Sequence, residues 1–537
     1  MPKIDSLDVS NMYSLVILTA LLAVIARWVE KFVSRRRLSE RLGCSSPVKV
    51  SRSEALKRIS QGNREGKGRW RFIGPLFETY GDTFTFRVVK RRFIFTVAPE
   101  NMRAMMSSQF NDYGTGKRAD QLRPLFGEGI FTASGKVWAH ARAELKPQFS
   151  KDNISQLQML EGHVPHLVEA IRQSNGKPIN AQELCYRYTI DSAMDFLVGE
   201  RMGAMESYLK NPEDSFVQSS EQHIDWKADY PVESPEGKKR FCQAFEIAQK
   251  HTHIRAANYD TYWLYPQGDL PKAVAELHRH GEYYVEKALR ATDEERRERP
   301  HTFLYQAALT NKDKKFLRDQ FLSLLLAARD TTTAWLTWTF FYLSHHPKEL
   351  AKLRNAILEH FGSGTPDDVE AITLDKLREC QYLKAVIQET LRLSPSVPMN
   401  YRVSNCDTSL PKGGGPKGDQ PMFVAKGELI FFSPYYLHRR KESYGEDALV
   451  WNPERWETRR PRAWEYLPFS GGPRVCMGQQ YATTEASYFL VRLLQNFSSI
   501  TPAPGTKEYI YEDAHRNLSF KKVNGLFQEG KVPVCIT

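Results

Sequence analysis

Cys476 stands in FSGGPRVCMG, residues 469–478, behind two adjacent glycines and an arginine and just ahead of a helical stretch. A thiol there is either a packed side chain or an anion held for a purpose, because an unpaired buried thiolate is strongly unfavourable. The helix expected from about Gly478 turns its backbone N–H groups and positive dipole end toward the sulfur. Gly471 and Gly472 permit a tight turn that brings more amides within reach, and Phe469 walls off water. A cysteine nucleophile would need a histidine partner, and none lies nearby in the chain. The arrangement suits a thiolate kept as a ligand. With no second Cys or His at ligand spacing, a single thiolate fits haem iron better than zinc or an iron–sulfur cluster. Arg474, and Trp138 with Arg142 at i and i+4 of GKVWAHAR, are then candidate contacts for haem propionates.

A second constellation lies in FLRDQFLSLLLAARDTTTAWLTWTFFYLSHHP, 316–347. It is apolar nearly all round, which marks a buried central helix. Asp330, Thr331, Thr332 and Thr333 interrupt it, and each costs roughly 2–7 kcal/mol if buried unpaired. Two readings stand. The hydroxyls bond back to carbonyls and Asp330 pairs with a neighbour, or the group faces a wet pocket with a proton path. Ala327 and Ala328, one turn earlier, leave room for the second. Glu389 and Arg392, at i and i+3 in LKAVIQETLRLSP, share a helix face, and Arg455 of NPERW offers a second cation. A carboxylate gripped by two guanidinium groups tolerates burial, so this trio reads as structural.

The elements that must position these residues are mostly helical. Helical patterns cover 181–200, 316–346, 347–361, 380–394 and about 478–496, and a further helix starts at Pro99. Strands are expected at 84–88 and 93–97, turning on Lys90-Arg91-Arg92, and again within 421–432. The fold class is mostly α with a minor β-sheet region. GGGPKG, 413–418, matches a dinucleotide-binding pattern only formally. It holds a proline, opens no helix and reads as a loop between strands, so the chain has no evident flavin or nicotinamide domain.

Composition narrows the partners. The 75 basic against 63 acidic residues give +12, spread along 537 residues. No arginine-rich arm, zinc-knuckle spacing or aromatic-interleaved basic strip is present, which excludes nucleic acid and favours an acidic protein or an anionic membrane surface. Seven cysteines form no CxxC pair, so neither a disulfide framework nor a zinc site is expected. Met12–Ala26 carries no charge; Asp5 and Asp8 precede it, and Lys31, Arg35, Arg36, Arg37 and Arg41 follow. The positive-inside rule then predicts a lumenal tail over 1–11, a signal-anchor transmembrane helix over 12–29, a basic linker over 30–70 and a cytosol-facing catalytic domain over 71–537. A buried or interfacial helix is the alternative.

In chain order across nearly everything after residue 70, the sequence resembles the cytochrome P-450 family of haem-thiolate monooxygenases. FSGGPRVCMG matches its FxxGxRxCxG pattern, ETLR its ExxR, PERW the partner arginine, and WAHAR its WxxxR propionate contact. AARDTT matches its oxygen-activating helix pattern, with Ala328 where the family usually has glycine. Arg402, in MNYRV, falls where many members place another propionate ligand. LRLSPSVPMNYRV, LPKGGGPKG, HRRKESYGEDA and YLPFSGGPRVCMGQQYATTEASY are similar to the fungal microsomal branch that hydroxylates fatty acids and n-alkanes.

The resemblance implies the cytochrome P-450 fold, haem b (iron-protoporphyrin IX) on Cys476, and O2 with NADPH-derived electrons as co-substrates. It implies insertion of one oxygen atom into a C–H bond of a hydrophobic small molecule, with Asp330 and Thr331 steering protons. The alternatives are tailoring oxidation of a fungal secondary metabolite and, more distantly, an isomerase or dehydratase that uses no O2. The family builds pocket walls near 111–127, 396–400 and 520–526, which singles out Val397, Pro398 and Met399 beside Ala327 and Ala328. Lys521 and Lys522 are candidates to hold a fatty-acid carboxylate. The implied partners are NADPH–cytochrome P-450 reductase, docking on Lys136, Lys146, Arg439 or Arg440, and membrane lipid. The implied location is the endoplasmic reticulum membrane, single-pass.

Overall fold

In the computed structural model the described residues are 6–64, 73–88, 91–149, 157–212, 224–506, 518–519, 527–528 and 532–537. The chain forms two compact units, one of Met1–Arg58, Ile73–Gly114 and Arg402–Phe431, the other of Ile59–Phe72, Thr115–Tyr401 and Phe432–Thr537.

The first unit opens with α1 (Ser6–Arg41) and is built on β1 (Thr83–Val88), β2 (Arg91–Thr96), β3 (Tyr113–Gly114), β4 (Asn400–Ser404), β5 (Thr408–Gly414), β6 (Gln420–Val424) and β7 (Leu429–Phe432). One sheet runs in the order β1-β2-β7-β4-β3, and β5 pairs with β6 as a separate hairpin. Of GGGPKG, Gly413 and Gly414 end β5, and only 415–418 form the turn, so the expected loop between strands is shorter than 413–418. β2 begins earlier than the sequence suggests. Val88 pairs with Arg91 and Arg87 with Arg92, so Arg91 and Arg92 are strand residues; Lys90 lies outside the described residues. Arg92 is held in the strand by Glu428 and by the Phe423 carbonyl at 2.7 Å. On the apolar face, Phe95 stacks on Phe431 with centroids 4.9 Å apart.

α1 is fixed to this unit by a forked pair, Arg35 to Asp407, at 3.0 and 2.9 Å. Its earlier turns expose Leu15, Val16, Ile17, Leu18, Leu21, Leu22 and Trp28. Among the described residues no helix is long and apolar enough to cross a membrane. The charge-free run is Val9–Ala26, and it opens with the polar Ser10 and Asn11. That is about 27 Å of helix at 1.5 Å per residue, short of the roughly 30 Å hydrocarbon core. α1 also continues to Arg41, through the start of the stretch read as linker.

The second unit holds α2 (Arg118–Phe126), α3 (Gly135–Leu145), α4 (Ala181–Val198), α5 (Pro235–Ala257), α6 (Leu270–Arg290), α7 (Lys314–His345), α8 (Gln381–Leu393) and α9 (Gln479–Asn496). A small sheet pairs 533–536 with 179–180 and 500–502. α7 is the axis. Asp313 caps it by accepting the N–H groups of Lys315 and Phe316, and it stops two residues before Pro347, as the steric restriction ahead of proline requires. Nearly all of α4 is buried, and it ends at Gly199 in the left-handed region (φ 75°). Trp335, Trp338 and Tyr342 of α7 form the core with Trp451, which stacks on Tyr342 at 5.3 Å. This is the mostly helical body with minor sheets that the sequence indicates.

Candidate functional site

From Asp319 to Ser344, α7 is buried at every position except Ala327, Ala328 and Thr331. These lie at i, i+1 and i+4, so they form one accessible facet on an otherwise enclosed helix. The Thr331 hydroxyl donates to the Ala327 carbonyl at 2.6 Å, and Ser396 Oγ donates to the Thr331 carbonyl at 2.9 Å. Asp330, beside the facet, is only 6% exposed. The Arg329 guanidinium stands 3.6 Å from it and is itself bonded to Glu246. The next two hydroxyls serve packing. Thr332 bonds Glu485, and Thr333 meets Thr189 of α4 at 2.6 Å.

The cysteine loop is closed by its own backbone. Cys476 N–H donates to the Phe469 carbonyl at 3.0 Å, and Val475 N–H to that of Gly472, also at 3.0 Å. Gly472 sits at φ 67°, a left-handed conformation that favours glycine. Gly471 is extended, and its reason is space: a Cβ there would lie 2.6 Å from the Trp464 ring. Gly478 caps α9. Its N–H bonds the Cys476 sulfur and lowers the thiol pKa, as does the charge of Arg142, but burial outweighs both and pushes the thiol up. Yet Cys476 has solvent-accessible surface. Phe469 packs half-buried beside it, edge-on to Trp335 of α7 at 6.1 Å, one turn beyond Thr331.

Three arginines gather near the loop. Arg474 lies over the Trp138 ring at 4.4 Å and donates to the Ala133 carbonyl at 3.1 Å. Arg142 lies over the same ring at 5.8 Å and donates to the Val475 carbonyl at 3.0 Å. Arg118, which the sequence reading missed, bonds Asn400 Oδ1 at 2.7 Å and stacks on Tyr401. Burial, then the charges of Arg118 and Arg142, push the Arg474 pKa down to about 10. Among the described residues no carboxylate pairs with any of the three. A buried cation destabilised in this way calls for an anionic ligand.

Glu389 and Arg392 are fully buried, with Nε and Nη2 at 2.8 Å from the two carboxylate oxygens. Arg455 Nε reaches Glu389 Oε1 at 3.3 Å, and the N–H groups of Trp456 and Asn452 complete the shell at 3.1 and 2.9 Å. Arg392 also donates to the carbonyls of His438, Ala448 and Val450, tying α8 to the segment before the cysteine loop.

The cytochrome P450 family model matches residues 58–527. The chain belongs to the cytochrome P450 family. It is 39% identical to cytochrome P450 52A12 of Debaryomyces hansenii over 496 residues, 89% of this chain and 91% of that one. Against cytochrome P450 52A1 of Candida tropicalis it is 41% identical over 429 residues, 79% and 76% of the two chains. Against cytochrome P450 52A10 of Candida maltosa it is 42% identical over 425 residues, 79% of each. The chain is thus a haem-thiolate monooxygenase of P450 fold, using haem b, O2 and NADPH-derived electrons. Members generally depend on a redox partner and act on hydrophobic substrates.

The residues present fit haem b in this P450. A cysteine with an N–H and an arginine favouring its anion suits an iron ligand, and three arginines without a carboxylate partner among the described residues suit two propionates. Arg402 is buried on β4. Val397 is half-buried, whereas Pro398 and Met399 are buried; the Pro398 carbonyl accepts from Ser433 Oγ at 2.8 Å. Lys136 and Lys146 are exposed on α3 and at its end. Arg439 and Arg440 are not open docking cations. Arg439 stacks on Tyr435 at 3.5 Å and bonds its carbonyl, and Arg440 lies 3.7 Å from Glu442. Lys521, Lys522 and the 520–526 wall lie outside the described residues.

Proposed function

We propose that this P450 hydroxylates a fatty acid or n-alkane at or near the chain end, with its catalytic body, 71–537, in the cytosol and α1 anchoring it in the endoplasmic reticulum membrane. The accessible α7 facet carries the reading: two alanines give an apolar surface for a hydrocarbon, and one hydroxyl stands beside a buried acid. Bound haem supplies the metal centre at which O2 is reduced. Cys476 would hold the iron, with Arg142 and the Gly478 N–H keeping the sulfur anionic and Phe469 excluding water. Arg118, Arg142 and Arg474, backed by Trp138, would hold the propionates. Ala327, Ala328, Val397, Pro398 and Met399 would orient the substrate through shape alone.

In the proposed proton path Asp330 takes up a proton from solvent and hands it on through Thr331. The Thr331 hydroxyl hydrogen is spent on the Ala327 carbonyl at rest, so its oxygen is poised to accept. The Glu389–Arg392–Arg455 cluster has the structural role of fixing the chain that leads into the cysteine loop. NADPH–cytochrome P-450 reductase would dock by acidic surface on Lys136 and Lys146. The apolar exterior of α1 and the basic residues after it support contact with membrane lipid; local thinning of the bilayer and snorkelling of the flanking arginines accommodate a short apolar run.

The test is a binding-spectrum screen with reconstituted reductase. Long-chain fatty acids and n-alkanes are expected to give substrate-type shifts and NADPH-dependent hydroxylated products. Response to polycyclic fungal metabolites alone would remove the substrate proposal while leaving the monooxygenase class intact.

A further inference from the structure

Arg255, near the end of α5, is only 7% exposed, and its hydrogen bonds go to backbone alone. Its Nε donates to the Gln121 carbonyl at 3.0 Å and its Nη2 to the Asp120 carbonyl at 3.1 Å, both on α2. Pro124 stands inside α2 and has no N–H for the Asp120 carbonyl four residues earlier. That accounts for one edge of the guanidinium. A guanidinium carries five N–H donors, and the edge between Nη1 and Nη2 is left over. Among the described residues nothing pairs with Nη1, and it is not sealed from solvent. Asp260, in the turn that follows, lies 3.7 Å from Lys117 instead. The guanidinium is held over the Tyr262 ring at 4.8 Å. Burial pushes the Arg255 pKa down, and among the described residues no carboxylate acts to restore it. Serving two carbonyls needs no charge; a neutral amide would do it without the desolvation penalty. A fixed, mostly buried cation with a free fork matches a carboxylate.

Its place in the fold suits a long substrate. The chain just after α2 is attached to α7, with the Glu128 N–H on Asp319 at 2.9 Å and the Ile130 N–H on Gln320 at 3.0 Å. α5 meets α7 where Glu246 bonds Arg329, next to Ala328, and it meets α2 at Arg255. Three helices thus close a frame, with the apolar facet of α7 beside one corner and the free fork at another. Nine residues of α5 separate the two corners, about 14 Å of helix. Trp263 and Leu264, exposed in the turn after Arg255, add apolar surface beside the fork.

We propose that Arg255 binds the carboxylate of the substrate, so that the enzyme takes long-chain fatty acids in preference to n-alkanes and presents the far end of the chain to the facet. This rests on, and narrows, the reading of the substrate as a fatty acid or n-alkane. Arg255 takes part in no covalent step; it holds one end of the chain while the other end reacts.

The experiment titrates detergent-solubilised wild-type, R255Q and R255K holoenzymes with hexadecanoate and with hexadecane, after the thiolate-type carbon monoxide spectrum has shown each protein to be loaded. The readout is the Kd from the substrate-induced spectral shift. R255Q should weaken hexadecanoate binding roughly 10- to 100-fold, the worth of charge-assisted hydrogen bonds, and R255K, which keeps the charge and loses the fork, should weaken it less. Hexadecane binding should weaken far less in both. In R255Q, hydroxylation of hexadecanoate should also spread from the chain end toward inner carbons, which the loss of a brace between helices would not produce selectively. Equal losses for the two ligands would leave Arg255 as a brace between α5 and α2 and overturn the inference. An unchanged Kd for hexadecanoate overturns it too, as expected if the fork serves a phospholipid headgroup. A wild type that responds to hexadecane and not to hexadecanoate overturns this inference alone; response to neither removes the substrate reading and this inference with it. Where R255Q fails to load haem, R255K is read instead, and an unchanged ratio of the two Kd values overturns the inference.

Discussion

Glu485, on α9, is a fully enclosed acid bonded to Ser192 and Thr332, and among the described residues no cation pairs with it. Burial raises its pKa from 4.5 to about 7. The folded state therefore holds a proton that the unfolded chain has already lost, and the stability this confers declines as pH rises past about 4.5 and is gone above about 7. The E485Q variant should flatten that dependence, which amounts to about 3 kcal/mol for the wild type. Thermal unfolding midpoints across this pH range check it; parallel curves for the two proteins would contradict it. At the facet, T331A is expected to bind substrate and consume NADPH but divert electrons to peroxide, read as product per NADPH. An unchanged ratio would remove Thr331 from the proton path. Cys476, Asp330 and Thr331 are legible in the sequence because few residue types do their chemistry and their spacing is local. Arg118, Glu246 and Glu485 are not. Each becomes informative only through a partner brought in by folding, as with Glu246 and Arg329, 83 positions apart.

At the scale of elements, the Glu389 cluster ties α8 to the chain around Ala448–Arg455. Removing one member of a buried ion pair leaves the other uncompensated and costs about 3–5 kcal/mol. E389Q and R392A should accordingly express with little bound haem and a sharply lowered melting temperature. A stable, fully loaded R392A protein would contradict the structural role. Helices with strong periodicity are read nearly to the residue: 316–346 from sequence against Lys314–His345 in the fold, and 347–361 against Pro347–Phe361. Boundaries drift where local signals are weak. The arginines at 91 and 92 look like turn residues in isolation, and it is cross-strand pairing plus Glu428, far along the chain, that draws them into β2. Similarly, the helix from Pro99 changes to a wider π-type turn over Ala104–Ser108, where nothing in MMSS announces the change.

For the molecule as a whole, sequence reading indicates one catalytic body after a linker, while folding gathers the chain into two compact units. The strands within Arg402–Phe431 return to the N-terminal strands through pairings such as β2 with β7, and no periodicity encodes such long-range partners. α1 carries the membrane prediction. Its exposed apolar residues run up to Val33, and its anchor to the fold, Arg35 with Asp407, lies after. Deleting residues 1–29 should move the protein from the membrane to the soluble fraction while preserving the carbon monoxide spectrum, scored by flotation of the two forms with vesicles. Retention of the truncated form on membranes would shift the anchoring role to another surface. The account as a whole turns on sulfur at position 476 bonding iron. The direct measurement is the carbon monoxide difference spectrum of the reduced wild type beside C476S. The wild type should show the thiolate-type band and C476S should lose it; a band that survives in C476S would contradict the account.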